Sequence, residues 1–260
     1  MKIPQQDNTH ITRYIRTRRR IRLEDREEMF RDKMRLINMF HKVDENSNIL
    51  EVGSGTGWFA IYCKMKGISC KGLEISPQLV EYAMEWGREY DIEPDIELAN
   101  IETTDIGKDV YDAVFANSVF EHVEDWEEGI RRIYEALKPG GVMYFLSTNK
   151  FSFTSGEYPT VPLYGWMPNE LRYYIRRTFQ DHDIMELGID FHQFTYPGLR
   201  RAFKKVGFSQ VLDPIQMFDP NNLNNPRAWK KVTLHVLKRV SPFKHIVLTF
   251  VPVTTFICVK

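Results

Sequence analysis

Ile49-Leu50-Glu51-Val52-Gly53-Ser54-Gly55-Thr56-Gly57 decides how this chain is read. The apolar run 49–52 has the length and composition of a buried strand. Its glycines follow the spacing G-x-G-x-G, which lets the backbone turn sharply and approach a ligand with no Cβ between them. A helix over Trp58 to Lys66, closed by Gly67, follows at once. The free N–H groups at its start face the same crevice. A dinucleotide site instead prefers G-x-G-x-x-G, which seats a pyrophosphate on the helix N-terminus. Here the residue three past Gly55 is Trp58, too bulky for that packing. The loop therefore suits a ligand without a pyrophosphate, although a Gly-rich turn taken alone also fits a purely structural role.

Outward from this turn, strands and helices alternate. Ile68 to Leu73 reads as a second strand, and Ser76-Pro77 as an N-cap and first-turn proline of a helix to about Tyr90. Ile96 to Ala99 and Tyr111 to Ala116 read as the third and fourth strands, the latter apolar on both faces. A helix over Trp126 to Leu137 is stopped by Lys138-Pro139-Gly140-Gly141, and Val142 to Leu146 is the fifth strand. Leu199 to Val206 reads as a helix ended by Gly207, with strands at Phe208 to Leu212 and near Thr254 to Val259. Such alternation predicts a parallel sheet covered on both faces. Before it, residues 10 to 42 read as one helix with an apolar stripe at Met29, Phe30, Lys33, Leu36, Ile37 and Phe40.

Two more signals accompany the glycine turn. Glu74 ends the second strand about 20 residues past Gly53, where an acidic residue accepts ribose hydroxyls. The fourth strand runs into Asn117, Ser118 and on to His122, ahead of a helix and the Lys-Pro-Gly-Gly turn. From about Ser47 to Asn149 the chain thereby resembles the class I S-adenosylmethionine-dependent methyltransferases, in particular the small-molecule subgroup of ubiquinone and menaquinone biosynthesis; His192 to Phe208 is similar to that family's later helix and strand. The resemblance implies a Rossmann-like α/β three-layer sandwich. It has a seven-stranded, mostly parallel sheet with helices on both faces, an N-terminal cap helix and a lid insertion after the fifth strand. The corresponding division is 1–45 cap, 46–150 cofactor-binding core, 151–194 lid or substrate insertion, and 195–260 completion of the sheet with a basic helical segment.

The resemblance also implies roles. Glu51 supports the glycine loop near the methionine end of S-adenosyl-L-methionine; Gly53, Ser54, Gly55 and Gly57 line its methionine and ribose; Glu74 binds the ribose and Ile75 packs on the adenine. Asn100 and Ile101 stand where the family has an Asp for the adenine amine, and Asn117 and Ser118 lie by the amino group. An amide oxygen at Asn100 still accepts from the amine, more weakly than a carboxylate.

Methyl transfer to a hydroxyl needs a base. His122, at the sheet edge where substrates bind, with its neighbour Glu121, is the candidate; a structural role for His122 in capping the next helix or packing the loop stays open. Glu121-His122 also resembles ubiquinone-pathway O-methyltransferases, in which a Glu three positions earlier helps to bind a divalent metal. Ser118 stands at that position here, so no metal is expected. The aromatic and Pro-rich stretch after the fifth strand supplies candidate acceptor contacts in Tyr158, Tyr164 and Trp166, with His192 beyond it.

Charge completes the reading. The chain of 260 residues carries 35 basic and 35 acidic side chains, so net charge singles out no partner. Pro226 to Lys260, however, holds no acidic residue and seven basic ones, among them Lys230, Lys231, Lys238 and Arg239. This basic, apolar tail suits an anionic membrane, an acidic substrate, or simply a solvated helix leading to the last strand. Arg16 to Arg22 suits either a gate over the cofactor or a solvated face. Three scattered cysteines fit small core residues in a reducing compartment. The chain opens without an apolar h-region, and no apolar run nears the roughly 20 residues of a membrane span, so a cytoplasmic protein is expected, touching membrane at most peripherally.

The partner expected is a small-molecule or lipid-linked acceptor: a sugar or glycolipid, a quinone precursor or a secondary metabolite, methylated at oxygen. N-methylation is the alternative. A nucleic-acid methyltransferase is disfavoured because Asn117-Ser118-Val119-Phe120 lacks the prolines of that class's motif. A nicotinamide oxidoreductase is disfavoured by the glycine spacing, and a non-catalytic cofactor binder remains as the last reading. The sequence leaves the oligomeric state open.

Overall fold

The computed structural model describes residues 14–16, 18–154, 161–179, 191–217 and 241–260. Seven strands form one sheet: β1 (Asn48–Val52), β2 (Ser69–Glu74), β3 (Asp95–Leu98), β4 (Tyr111–Asn117), β5 (Leu137–Thr148), β6 (Gln210–Leu212) and β7 (Val253–Val259). Their order is β3-β2-β1-β4-β5-β7-β6. The first five strands pair in parallel, and β7 inserts antiparallel between β5 and β6. Eight helices accompany them among the described residues: α1 (Glu27–Asn38), α2 (Trp58–Met65), α3 (Pro77–Arg88), α4 (Trp126–Ala136), α5 (Asn169–Phe179), α6 (Tyr196–Val206), α7 (Pro214–Met217) and α8 (Ser241–Phe250). This is the Rossmann-like three-layer sandwich that the family resemblance implies, with the two-sided sheet that the strand–helix alternation predicts.

The period of two along each strand divides the core. Leu50, Val114, Ala116, Met143, Phe145 and Phe256 point to one face, against Ile130 and Ile133 of α4 and Leu199 and Phe203 of α6. Ile49, Ala113, Phe115, Tyr144 and Ile257 point to the other, against Phe59 of α2 and Phe30 and Ile37 of α1. A parallel sheet buried on both faces follows directly from this alternation of two apolar sets. Ser76 caps α3 by accepting from the Leu79 amide, with Pro77 in the first turn.

Two element expectations are corrected. Residues 10–42 do not form one helix where they are described. Helical geometry at Tyr14–Arg16 gives way to a turn at Arg19–Arg20, then a 3-10 turn (Leu23–Arg26) leads into α1. The cause is local: Arg22 is extended (φ −82°, ψ 157°) and its amide donates to the Asp25 carboxylate at 3.0 Å. That bend drives Leu23 into the core, where its carbonyl accepts from the Tyr62 hydroxyl at 2.7 Å. The second correction is β5, which begins at Leu137 rather than Val142. The register against β4 shifts between Tyr111 and Ala113, so Lys138-Pro139-Gly140-Gly141 forms an irregularity inside the strand.

Among the described residues no helix is long and apolar enough to cross a membrane. The expected helix over Trp229 to Val240 lies outside the described residues.

Candidate active site

The C-terminal ends of β1, β2, β3 and β4 open into one cavity of about 370 Å³. Ligands bind at this edge in open α/β sheets because the loops there diverge from the sheet. The first wall is the glycine turn. Gly53 has φ +71°, and its amide and that of Ser54 both donate to the Leu73 carbonyl, at 2.9 and 3.0 Å. A Cβ on Gly53 would lie 2.4 Å from Val119 Cγ2, so packing against the β4 loop requires glycine. Gly55, at φ +55°, has no atom within 4 Å of the place its Cβ would take. Gly55 also lines the cavity, so its backbone can be approached by a ligand there. Gly57 does not line the cavity; it serves as the N-cap of α2.

Glu74 forms the second wall. Its carboxylate accepts from three backbone amides: Gly55 at 2.7 Å, Ile75 at 2.9 Å and Ser76 at 3.0 Å. The side chain thus ties the end of β2 to the glycine turn while lining the cavity. Burial raises its pKa, the three amides oppose that rise, and His122 across the cavity opposes it further. Ile75 and Leu79 stand beside it.

The third wall comes from the β3 loop. Asn100 and Ile101 line it, as does Glu102, which the sequence reading passed over. Asn100 closes a tight turn: its side-chain oxygen accepts from the Glu102 amide at 2.8 Å and its Nδ2 donates to Glu102 Oε2 at 3.0 Å. The fourth wall is the β4 loop, with Asn117, Ser118 in the left-handed region at φ +54°, Val119 and His122. Trp58 also lines the cavity. At the mouth lie Tyr14, Arg18, Arg26 and Met29. The arginine cluster is therefore divided: Arg18 reaches the cavity, whereas Arg19 pairs with Glu85 on α3 at 3.1 Å.

Glu51 sits behind the glycine turn, 2% exposed and off the cavity surface. Burial pushes its pKa up to about 8, and the nearby Glu74 charge adds to the rise. Its Oε2 has no hydrogen-bond partner, nor has the buried Ser54 hydroxyl that lines the cavity. Of the two, only the Ser54 hydroxyl lies on the cavity wall, where a polar ligand or water can complete its bonding.

The remaining candidates are dispersed. Glu121 is buried with Oε2 accepting from the Ser147 hydroxyl at 2.6 Å, so its side chain serves the core rather than the cavity. His192 lies outside the cavity, with Nε2 2.9 Å from the Glu124 carbonyl and its ring beside Trp126 and Phe194. Tyr164 is fully buried under the Arg172 guanidinium, and Trp166 donates to the Ser152 carbonyl at 3.1 Å and packs on Phe151 and Phe250. Tyr158 lies outside the described residues. Among the described residues no three His, Cys, Asp or Glu side chains converge where a metal ion would sit.

With this geometry in place, similarity to known proteins can be stated. A family model described as a methyltransferase domain matches residues 24–213. A malonyl-[acyl-carrier protein] O-methyltransferase of Calditerrivibrio nitroreducens is 33% identical over 101 residues, 39% of this chain and 38% of that protein. A ubiquinone biosynthesis O-methyltransferase of Rickettsia bellii is 27% identical over 128 residues, 48% of this chain and 53% of that protein. The chain thus spans about half the length, or less, of these relatives. The phosphoethanolamine N-methyltransferase 2 of Haemonchus contortus, solved with phosphomonomethylethanolamine and S-adenosylhomocysteine, superposes with a TM-score of 0.57 at 17% identity, covering 88% of this chain and 52% of that one. At that identity the likeness is one of fold.

Proposed function

This chain belongs to the methyltransferase-domain family, and on that premise we propose that it transfers a methyl group from S-adenosylmethionine to a small or amphipathic acceptor, at oxygen. The observation that carries the proposal is the Glu74 carboxylate, held by three amides on the wall of a cavity that the exposed backbone of Gly55 also lines. A carboxylate has about four lone-pair sites, so three bound amides leave capacity for a ribose hydroxyl. The volume falls within the roughly 300–1,000 Å³ of small-ligand sites. Ile75, Leu79 and Ile101 offer apolar surface for a purine, and the Asn100–Glu102 turn offers oxygens to its amine. The Ser54 hydroxyl on the cavity wall is available to the amino-acid end.

The cofactor supplies an electrophilic methyl carbon on a sulfonium. This chain's residues orient the reactants and manage the proton. His122, on the 3-10 turn Phe120–His122 at the cavity wall, is the group placed to take the acceptor's proton as the new O–C bond forms and the C–S bond breaks. Glu121 helps from behind, fixing that turn through Ser147. Oxygen is favoured over nitrogen because the malonyl-[acyl-carrier protein] and ubiquinone biosynthesis relatives are named as O-methyltransferases, although norajmaline N-methyltransferase of Rauvolfia serpentina is also a relative.

The test has two parts. Calorimetry with S-adenosylmethionine and S-adenosylhomocysteine should give heats saturating at one ligand per chain; absence of heat with either overturns the assignment. Release of S-adenosylhomocysteine is then screened over sugars, phenols, quinols and lipid-linked acceptors, with turnover on a hydroxyl acceptor expected and turnover confined to amines counting against O-methylation.

A further inference from the structure

The C-terminal helix α8 presents an apolar face that the fold holds outward. Phe243, Ile246, Val247 and Phe250 recur at spacings of three and four, so they share one side of the helix. Phe243 is 62% exposed and Ile246 57% exposed. Phe153, also 59% exposed, stacks on Phe250 at 5.5 Å, and Trp166 packs beside it, which extends the patch beyond the helix. A contiguous patch of large apolar side chains marks an interaction surface, whereas single exposed ones do not.

The orientation of α8 is fixed from its other side. Leu248 is buried in the core, and Lys244 meets the fully buried Asp213 at 2.9 Å. The Tyr196 hydroxyl donates to the same carboxylate at 2.9 Å, and His245 lies against the Tyr196 ring. The Asn149 amide donates to the carbonyls of Thr249 and Val251 at 3.1 and 2.8 Å, closing the helix C-terminus. Rotating α8 to hide its phenylalanines would bury nothing better and would break every one of these contacts.

Charge selects the occupant. From Pro220 to Lys260 the sequence contains no Asp or Glu. Five cationic residues, Arg227, Lys230, Lys231, Lys238 and Arg239, directly precede α8. A second copy brings the same acid-free, cation-rich sequence and so offers this stretch no complementary charge from its own counterpart. An anionic bilayer surface instead offers hydrocarbon for the aromatic face and lipid phosphate or carboxylate for the cations. The place in the fold agrees: Thr148 at the end of β5 pairs with Val253 at the start of β7, so α8 arrives at the sheet edge onto which the cavity opens.

We infer that the α8 face, with Phe153 and Trp166, seats this protein on anionic lipid bilayers. Docking stands independently of the chemistry; presentation of a bilayer-borne acceptor to the cavity rests on the methyl-transfer reading.

Vesicle flotation of the full chain tests it. Vesicles of phosphatidylcholine with phosphatidylserine should carry the protein at low salt, and pure phosphatidylcholine vesicles should carry at least tenfold less. High salt should release it. Phe243→Ser/Ile246→Ser should lose binding tenfold or more, while Met65→Ser, an exposed apolar residue on α2, floats like the parent. Melting temperature and S-adenosylhomocysteine binding, measured on the same samples, separate misfolding from lost docking and let the methyltransferase reading fail or stand by itself. The inference is overturned if the parent does not float with anionic vesicles, if it floats equally with neutral ones, or if the double variant, folded, floats unchanged. A concentration-dependent dimer abolished by the double variant assigns the face to a second copy and overturns it equally.

Discussion

The two ends of the sheet edge are built by different means. From β1 to β4, the cavity is shaped by backbone and its nearest side chains: the Gly53 and Ser54 amides on Leu73, the Gly55 amide on Glu74, the Asn100 turn. From β5 onward, positions far apart in sequence meet through buried side chains: Asn149 reaches the end of α8, and Asp213 gathers Lys244 and Tyr196. The first construction leaves the cavity wall little side-chain freedom. The second positions a helix and a surface through contacts between distant side chains.

The comparison is broken most directly at Asp213. Asp213→Ala strands the Lys244 ammonium in the core and should cost about 3–5 kcal/mol in urea unfolding. Cofactor affinity of the folded fraction should change little; a large loss would mean that the two regions are one unit. On the other side, Glu74→Ala removes the expected ribose acceptor and the anchor of the Gly55 amide. At roughly 1.5 kcal/mol or more for each of two charge-assisted hydrogen bonds, calorimetry should show affinity for S-adenosylhomocysteine lower by about 100-fold. Glu74→Gln should lose less.

The glycines sharpen the contrast within the cofactor wall. Gly53→Ala drives a methyl into Val119 at positive φ and should lower stability by about 2 kcal/mol. Gly55→Ala meets open space, so its stability cost should be nearer ~1 kcal/mol, from backbone conformation alone. Gly55 lines the cavity, however, so cofactor affinity should fall more than stability does. Equal stability losses would remove the distinction drawn between the packing glycine and the ligand-facing one.

A further effect is the pH response of Glu51. Its carboxyl is raised from an ordinary 4.5 to about 8, so between those values the folded protein retains a proton that the unfolded chain releases. Stability from this group is therefore complete at low pH and declines as pH rises through that window. Glu51→Gln, which cannot ionise, should melt like the parent near pH 5 and above it near pH 8, by on the order of 2–4 °C for each kcal/mol. A parent whose ligand-free melting temperature does not fall relative to the variant over this range would show that Glu51 is not held protonated.

Legibility followed the same division. The glycine turn, the acid closing β2 and the alternation of elements were readable because each is a short, contiguous pattern with one conformational meaning. So was the helix ended by Gly207, read as Leu199 to Val206, although it starts earlier, at Tyr196 with Thr195 as its cap. Glu102 escaped notice because the loop after β3 carries its ligand-facing groups in a turn, and turn geometry, not position, brings the second carboxylate to the wall. Trp166 and Tyr164 were legible as an aromatic cluster, but whether such residues line a cavity or pack on each other depends on partners distant in sequence, here Phe250 and Arg172. The same applies to α5, an amphipathic helix within what reads as a Pro- and Gly-rich insertion.

By itself, then, the sequence determined the sheet, its two-faced core and the glycine turn with Glu74 beside it, since backbone conformation and residue periodicity are set by neighbours along the chain. Tertiary structure alone decided that β7 enters antiparallel, that Glu121 turns to Ser147 while its neighbour His122 faces the cavity, and that α8 keeps its phenylalanines outward. Those outcomes depend on which distant groups satisfy each other's charge and hydrogen bonds, and that balance exists only once the chain has closed on itself.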